Sequence, residues 1–129
     1  KMFFKHNFVT QSYKNKFDAI YALDVLEHIK KNQEKSFLSN IKKSLKKNGV
    51  LILGMPSLES QKYASKISKL YHVNCKTKKE FKKDLEIYFN NVFMFSMNDE
   101  VVHTGYDYMS HYIFAICVWI IFFNIQINY

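Results

Sequence analysis

Apolar residues fall in short runs divided by polar stretches, and the runs follow two different periods. Residues 17–23 (Phe-Asp-Ala-Ile-Tyr-Ala-Leu) are mostly apolar, as a buried strand of a parallel sheet is. From Asn32 to Leu45 the apolar positions are Phe37, Leu38, Ile41 and Leu45, whose spacing marks one face of a helix. Val50 to Met55 is again a continuous apolar run, and Pro56-Ser57 breaks it. Strand, helix, strand at this length predicts a right-handed βαβ unit and hence a parallel pair.

The residues between the runs carry stop and start signals. Asp24 follows the first strand with Glu27 three residues on, the spacing of a capping box with aspartate in the cap position. Asn48-Gly49 closes the helix, and Gly49 is placed for the left-handed residue beyond a helix end. Leu58 to Asn74 is polar and irregular, with a helical turn expected around Gln61–Ser68. Thr77 is expected to cap a helix from Lys78 to about Phe89, with Glu80 completing the box and Phe81, Leu85 and Tyr88 on its apolar side. Asn90-Asn91 marks a turn, Val92 to Met97 a strand and Asn98 to Tyr108 a polar loop. Tyr112 onward reads as a last strand or a tail. Four strands are readable, where a doubly wound sheet has about six.

Length and composition narrow the class. A chain of 129 residues buries one modest core, a single domain or part of one. With 48% hydrophobic and 23% charged residues it has the balance of a folded domain rather than a disordered one. One proline and three glycines are few for a complete α/β domain, and no GxG occurs. The glycine-rich first βα turn that holds a nucleotide-like cofactor is therefore not among these residues: either the fold is something smaller, or the chain enters mid-domain and that turn lies upstream.

The net charge of +8 is carried by lysine alone. Without arginine forks for phosphate and guanine, no nucleic-acid partner is expected. The lysine pairs at 30–31, 42–43, 46–47 and 82–83 suit solvated helix faces. Cys75 and Cys117 stand far apart without metal-ligand spacing, and the N-terminus lacks signal-peptide anatomy, so a reducing cytoplasm is the expected setting.

At this point a family resemblance enters. The run Phe17-Asp-Ala-Ile-Tyr-Ala-Leu-Asp-Val-Leu-Glu-His-Ile29 resembles the fourth strand and following turn of class I S-adenosylmethionine-dependent methyltransferases. Lys43 to Gly54 resembles the helix end and fifth strand of the same fold. Met55 to Ser65, His72-Val-Asn74 and Asn98 to Gly105 are similar to one bacterial subgroup, and the resemblance spans residues 3 to 116. It implies an α/β fold, a partial Rossmann-like methyltransferase domain whose mostly parallel sheet ends in an antiparallel strand. Residues 1–117 would be its C-terminal half, and 118–129 an apolar tail outside the family pattern, too short to span a membrane but able to touch one.

The resemblance also implies a partial site. Asn7 and Phe8 match the segment beside the adenine of S-adenosylmethionine, with asparagine where aspartate is common. Leu23, Asp24 and Val25 end the fourth strand, next to the cofactor and the acceptor. Asp24, Glu27 and His28 share one face of a helical turn and admit three readings: a cap with a packed histidine, a base acting through Asp24 or His28, or a divalent-metal site of all three. His72 and His103 are further candidate catalytic groups, in polar loops after later strands; Asn74, Asn98, Asp99 and Glu100 accompany them. The expected activity is methyl transfer to a small-molecule or cell-envelope acceptor, absent from this fragment alone without the missing N-terminal half. The alternative is a non-catalytic remnant, or a module completed by another chain.

Overall fold

The computed structural model describes residues 3–99, 101–105 and 107–119. Its strands are β1 (Phe17–Leu23), β2 (Leu45–Pro56), β3 (Asn91–Asn98), β4 (Val101–His103) and β5 (Tyr112–Val118). Its α-helices are α1 (Lys31–Ser44), α2 (Lys66–Tyr71) and α3 (Lys78–Glu86). The strands form one sheet in the order β1-β2-β5-β3-β4. β1 and β2 are parallel, as the βαβ pattern requires, and β5 runs antiparallel to both β2 and β3. The α/β class and the antiparallel last strand are as the sequence predicts.

The core lies on one face of the sheet. Leu51, Leu53 and Met55 of β2 alternate inward with Ile113, Ala115 and Cys117 of β5, and pack against Phe37, Leu38 and Ile41 of α1 and Phe81 and Leu85 of α3. The opposite face carries the other half of each alternation: Tyr21 and Leu23, Ile52, Phe114 and Ile116, then Phe93 and Phe95. It stays open, with Tyr21 77% and Phe93 54% exposed. β1 forms one edge of the sheet. A parallel strand with an apolar outer face is an element that normally has cover on both sides.

Four local expectations are corrected. Asp24 caps nothing: the turn after β1 is a 3-10 helix, Leu26–His28, entered through Val25 with no side-chain cap, and Asp24 takes a left-handed φ of 55° instead. Gly49 is not a left-handed helix stop, because the chain turns extended at Leu45 and Gly49 has no positive φ. Residues between Leu45 and Val50 bulge out where β1 advances only from Phe17 to Ala19, and Gly49 is needed there for space. A Cβ on it would lie 2.9 Å from Leu45 Cδ2. The loop from Asn98 to Tyr108 contains β4, which doubles back on β3 with Ser96 opposite His103. Helix α3 stops at Glu86, although the amides of Tyr88 and Phe89 still bond to the Leu85 carbonyl and keep Phe89 in the core.

The capping box at Thr77 and Glu80 forms as the sequence predicts. The irregular stretch after β2 holds a 3-10 helix, Glu59–Tyr63, and then α2, which Ser65 caps. Val118 belongs to β5, and residues 120–129 of the expected tail lie outside the described residues. No helix among the described residues is long and apolar enough to cross a membrane.

Candidate functional site

Three strand ends converge. β1 and β2 run parallel and finish at Leu23 and Pro56, and antiparallel β5 starts at the same end, with Tyr112 opposite Pro56. Asp24 follows directly. Its amide donates to the Gly54 carbonyl at 3.1 Å and to the Tyr112 hydroxyl at 3.3 Å. The Tyr112 ring lies over Gly54, where a Cβ would come within 2.6 Å of Tyr112 Cε1. Burial, and then the nearby Asp24 carboxylate, push the Tyr112 phenol well above its ordinary pKa, so it stays protonated. Sequence reasoning missed Tyr112. Its place as the first residue of a strand was legible, but only the pairing of β5 with β2 shows which end it reaches.

Beside this turn sits a second group. Ligand-capable atoms of Glu27, His28 and His72 all lie within 4.8 Å of one another. Glu27 is buried, and its Oε1 lies 3.7 Å from His28 Nε2. The two imidazoles meet edge to face with ring centres 5.2 Å apart. His28 Nδ1 contacts the Tyr71 carbonyl at 3.1 Å, and His72 Nδ1 contacts the Gln61 side-chain oxygen at 2.8 Å. A carbonyl oxygen can only accept, so each Nδ1 carries a proton, and in the neutral form of either ring the lone pair lies on Nε2. The loop holding His72 is pinned to the turn by the amides of Val73 and Asn74, which both donate to the Glu27 carbonyl.

Burial holds the Glu27 carboxyl above the usual range, an effect that its own backbone bond and His28 partly counter. Among the described residues its Oε2 has no hydrogen-bond partner. A buried carboxylate oxygen without a donor is costly, and a cation is one way to satisfy it.

The other residues singled out in the sequence are dispersed. Asp24 lies outside the Glu27–His28–His72 group, so the three-residue set read from the sequence is not the set the fold assembles. Asn7 turns its side-chain oxygen onto the amide of Val9 at 2.9 Å, closing its own turn, and the Phe8 carbonyl accepts from Asn40. Leu23 is 47% exposed on β1, and Val25 packs partly against the core. His103 stands on β4 at the far edge, four strands and roughly 19 Å from β1 at ordinary strand spacing. Its Nδ1 accepts from the amide of Gly105. Asn98 binds the amide of His111, Asp99 is exposed with a left-handed φ of 49°, and Glu100 lies outside the described residues.

The family described as CheR methyltransferase, SAM binding domain, matches residues 2–79. The chain belongs to this family. That span runs from the segment of Asn7 through β1, the Asp24 turn, the histidine pair and the start of α3. S-adenosylmethionine is the cofactor of this family's binding domain, and by this resemblance the chain is part of a methyltransferase domain. Solved structures agree on the fold. A possible histamine N-methyltransferase from Thermotoga maritima is 17% identical with a TM-score of 0.68, over 89% of this chain and 62% of that one. The methyltransferase domain of a bacterial Hen1 protein is also 17% identical, with a TM-score of 0.65 over 89% of this chain and 60% of that one. The small RNA methyltransferase HEN1 is 15% identical, with a TM-score of 0.61, over 84% of this chain but 14% of that one. No curated protein matches the chain. The chain thus spans about half to three-fifths of the bacterial methyltransferase domains it resembles.

Proposed function

We propose that this chain is the acceptor-side half of a methyltransferase domain, and that methyl transfer to a small-molecule or cell-envelope acceptor takes place at the converging strand ends. The observation that carries this reading is the meeting of β1, β2 and β5 at Asp24, a carboxylate exposed where the parallel strands finish. Ligands of open α/β sheets bind at that end.

S-adenosylmethionine supplies an electrophilic methyl group. Leu23, Asp24 and Val25 would hold it from one side, with Asn7 and Phe8 toward its base. They fit as one wall only: the space over Gly54 is filled by Tyr112 and Leu23, and the outer edge of β1 is open. The remaining strands and helices of the domain would pair with that edge and cover the apolar face of Tyr21, Phe93 and Phe114. Asp24 would accept the proton of an acceptor N–H or O–H and free the lone pair that attacks, because displacement at methyl needs that lone pair in line. His28 and His72 belong to the turn and loop beside Asp24, whereas His103 stands on the far edge of the sheet.

The test joins this chain to a segment bearing a glycine-rich βα unit and measures S-adenosylhomocysteine formation. The joined protein should bind S-adenosylmethionine, while the 129-residue chain alone should show no micromolar binding by calorimetry. In the joined protein Asp24→Asn should lower transfer by about 10²–10⁴. Full activity of that variant would end the assignment of Asp24.

A second reading is favoured by the partnerless Glu27 Oε2: a divalent cation held by Glu27, His28 and His72. Two imidazole nitrogens and one carboxylate suit zinc or manganese. Thermal shift with zinc, manganese or magnesium should raise the melting temperature, and His72→Ala should abolish the shift. A shift of equal size in the variant would remove this reading.

A further inference from the structure

Tyr112 ties the last strand to the turn that follows the first. Asp24 holds φ at 55°, a left-handed backbone that a residue with a Cβ keeps only where its surroundings fix it. Its surroundings are two acceptors for one amide: the Gly54 carbonyl at 3.1 Å and the Tyr112 hydroxyl at 3.3 Å. The hydroxyl reaches Asp24 because the tyrosine ring crosses β2 at its glycine. A Cβ at position 54 would lie 2.6 Å from Tyr112 Cε1 and 2.9 Å from its oxygen. The Asp24 carboxylate lies close enough to the same hydroxyl to help raise the phenol's pKa. The hydroxyl oxygen accepts from the main-chain N–H of Asp24. One side chain thus braces the backbone of residue 24 while lying beside its carboxylate.

We infer that Tyr112 is a positioning residue for methyl transfer, fixing the left-handed turn at Asp24 and with it the place of the Asp24 carboxylate. This rests on the reading above in which Asp24 serves the acceptor. A residue that merely filled space would act on overall stability without selecting the backbone at position 24.

The experiment uses the full chain and reads the backbone chemical shifts of Asp24 by NMR alongside melting temperatures. In the unmodified chain Asp24 should show left-handed shifts. Tyr112→Phe should move them toward extended values, leave Leu38 and Phe81 unchanged, and lower the melting temperature by roughly 4 °C. Asp24→Gly removes the cost of the left-handed backbone, so adding Tyr112→Phe to it should change the melting temperature by less than about 1 °C. Left-handed shifts retained in Tyr112→Phe, or an equal loss in the glycine background, would overturn the inference. Should Tyr112→Phe alone fail to fold, the double variant decides: recovery of the fold supports the assignment, and failure refutes it. Both readouts are conformational, so their failure is distinct from an active Asp24→Asn enzyme, which would refute the acceptor role.

Discussion

Asn74 reaches from the loop before α3 to Glu34 on α1, its side-chain nitrogen donating to Glu34 Oε2 at 2.9 Å. Both side chains are buried or nearly so, and Lys76 closes the arrangement with contacts of 3.0 Å to Glu34 and 2.7 Å to Asp84. Neither residue belongs to the candidate site. Their pairing nevertheless fixes the segment that carries His72, which is two residues from Asn74. Asn74→Ala should therefore destabilise the chain by about 1–3 kcal/mol, since it strips a buried carboxylate of a donor. Urea denaturation checks the magnitude. A loss below about 0.5 kcal/mol would show that Lys76 alone satisfies Glu34.

Glu27 predicts a pH dependence of stability. Its folded-state pKa is raised, chiefly by burial, so the folded chain holds this proton to higher pH than the unfolded chain does. The stability associated with it is full below the ordinary carboxylate range and is lost as pH rises through the raised value. Glu27→Gln should accordingly be more stable than the unmodified chain at neutral pH, with the gain vanishing in acid. Melting curves across that range test it, and a gain independent of pH would contradict the stated cause.

Thr77 and Glu80 satisfy each other's backbone at the start of α3, with bonds of 3.2 Å and 3.0 Å. Thr77→Ala should cost about 1 kcal/mol. The loss should appear in chemical denaturation without a change in the slope against denaturant, because the surface buried by the fold is unaltered.

Cys75 and Cys117 are both free, and burial pushes their thiols up to about 11 and about 12. At mildly alkaline pH a disulfide reagent should label Cys75 at least about tenfold more slowly than an unfolded thiol, and Cys117 more slowly still. Urea should release both to the unfolded rate. Rapid native labelling of Cys75 would show that the loop beside Glu27 opens readily.

Local periodicity made the fold legible wherever one element buries one face. β1, the stripe of α1 and the cap of α3 follow from residues 17–23, Phe37 to Leu45, and Thr77 with Glu80. Features set by packing between distant segments were not legible. Asp24 and Glu27 have capping spacing, yet Glu27 is drawn inward by the loop at 73–74 and the turn tightens to a 3-10 helix. Gly49 has the look of a helix stop, but its absent Cβ makes room for Leu45. The candidate site divides in the same way. Asp24, Glu27 and His28 are adjacent in sequence and could be singled out there, while His72 and Tyr112 join them only through tertiary contacts.

The sheet order carries a consequence for how the chain comes together. β5 is the last strand among the described residues, yet it lies in the middle of the sheet, between β2 and β3. Until residues 112–118 emerge during synthesis, β2 and β3 have no common neighbour and each presents an unpaired apolar edge. β5 must then insert between two waiting strands, antiparallel to both, and contacts so distant in sequence form slowly. A nascent chain paused short of Tyr112 would expose Leu51, Leu53 and Val92 together, the surfaces that holding chaperones take up.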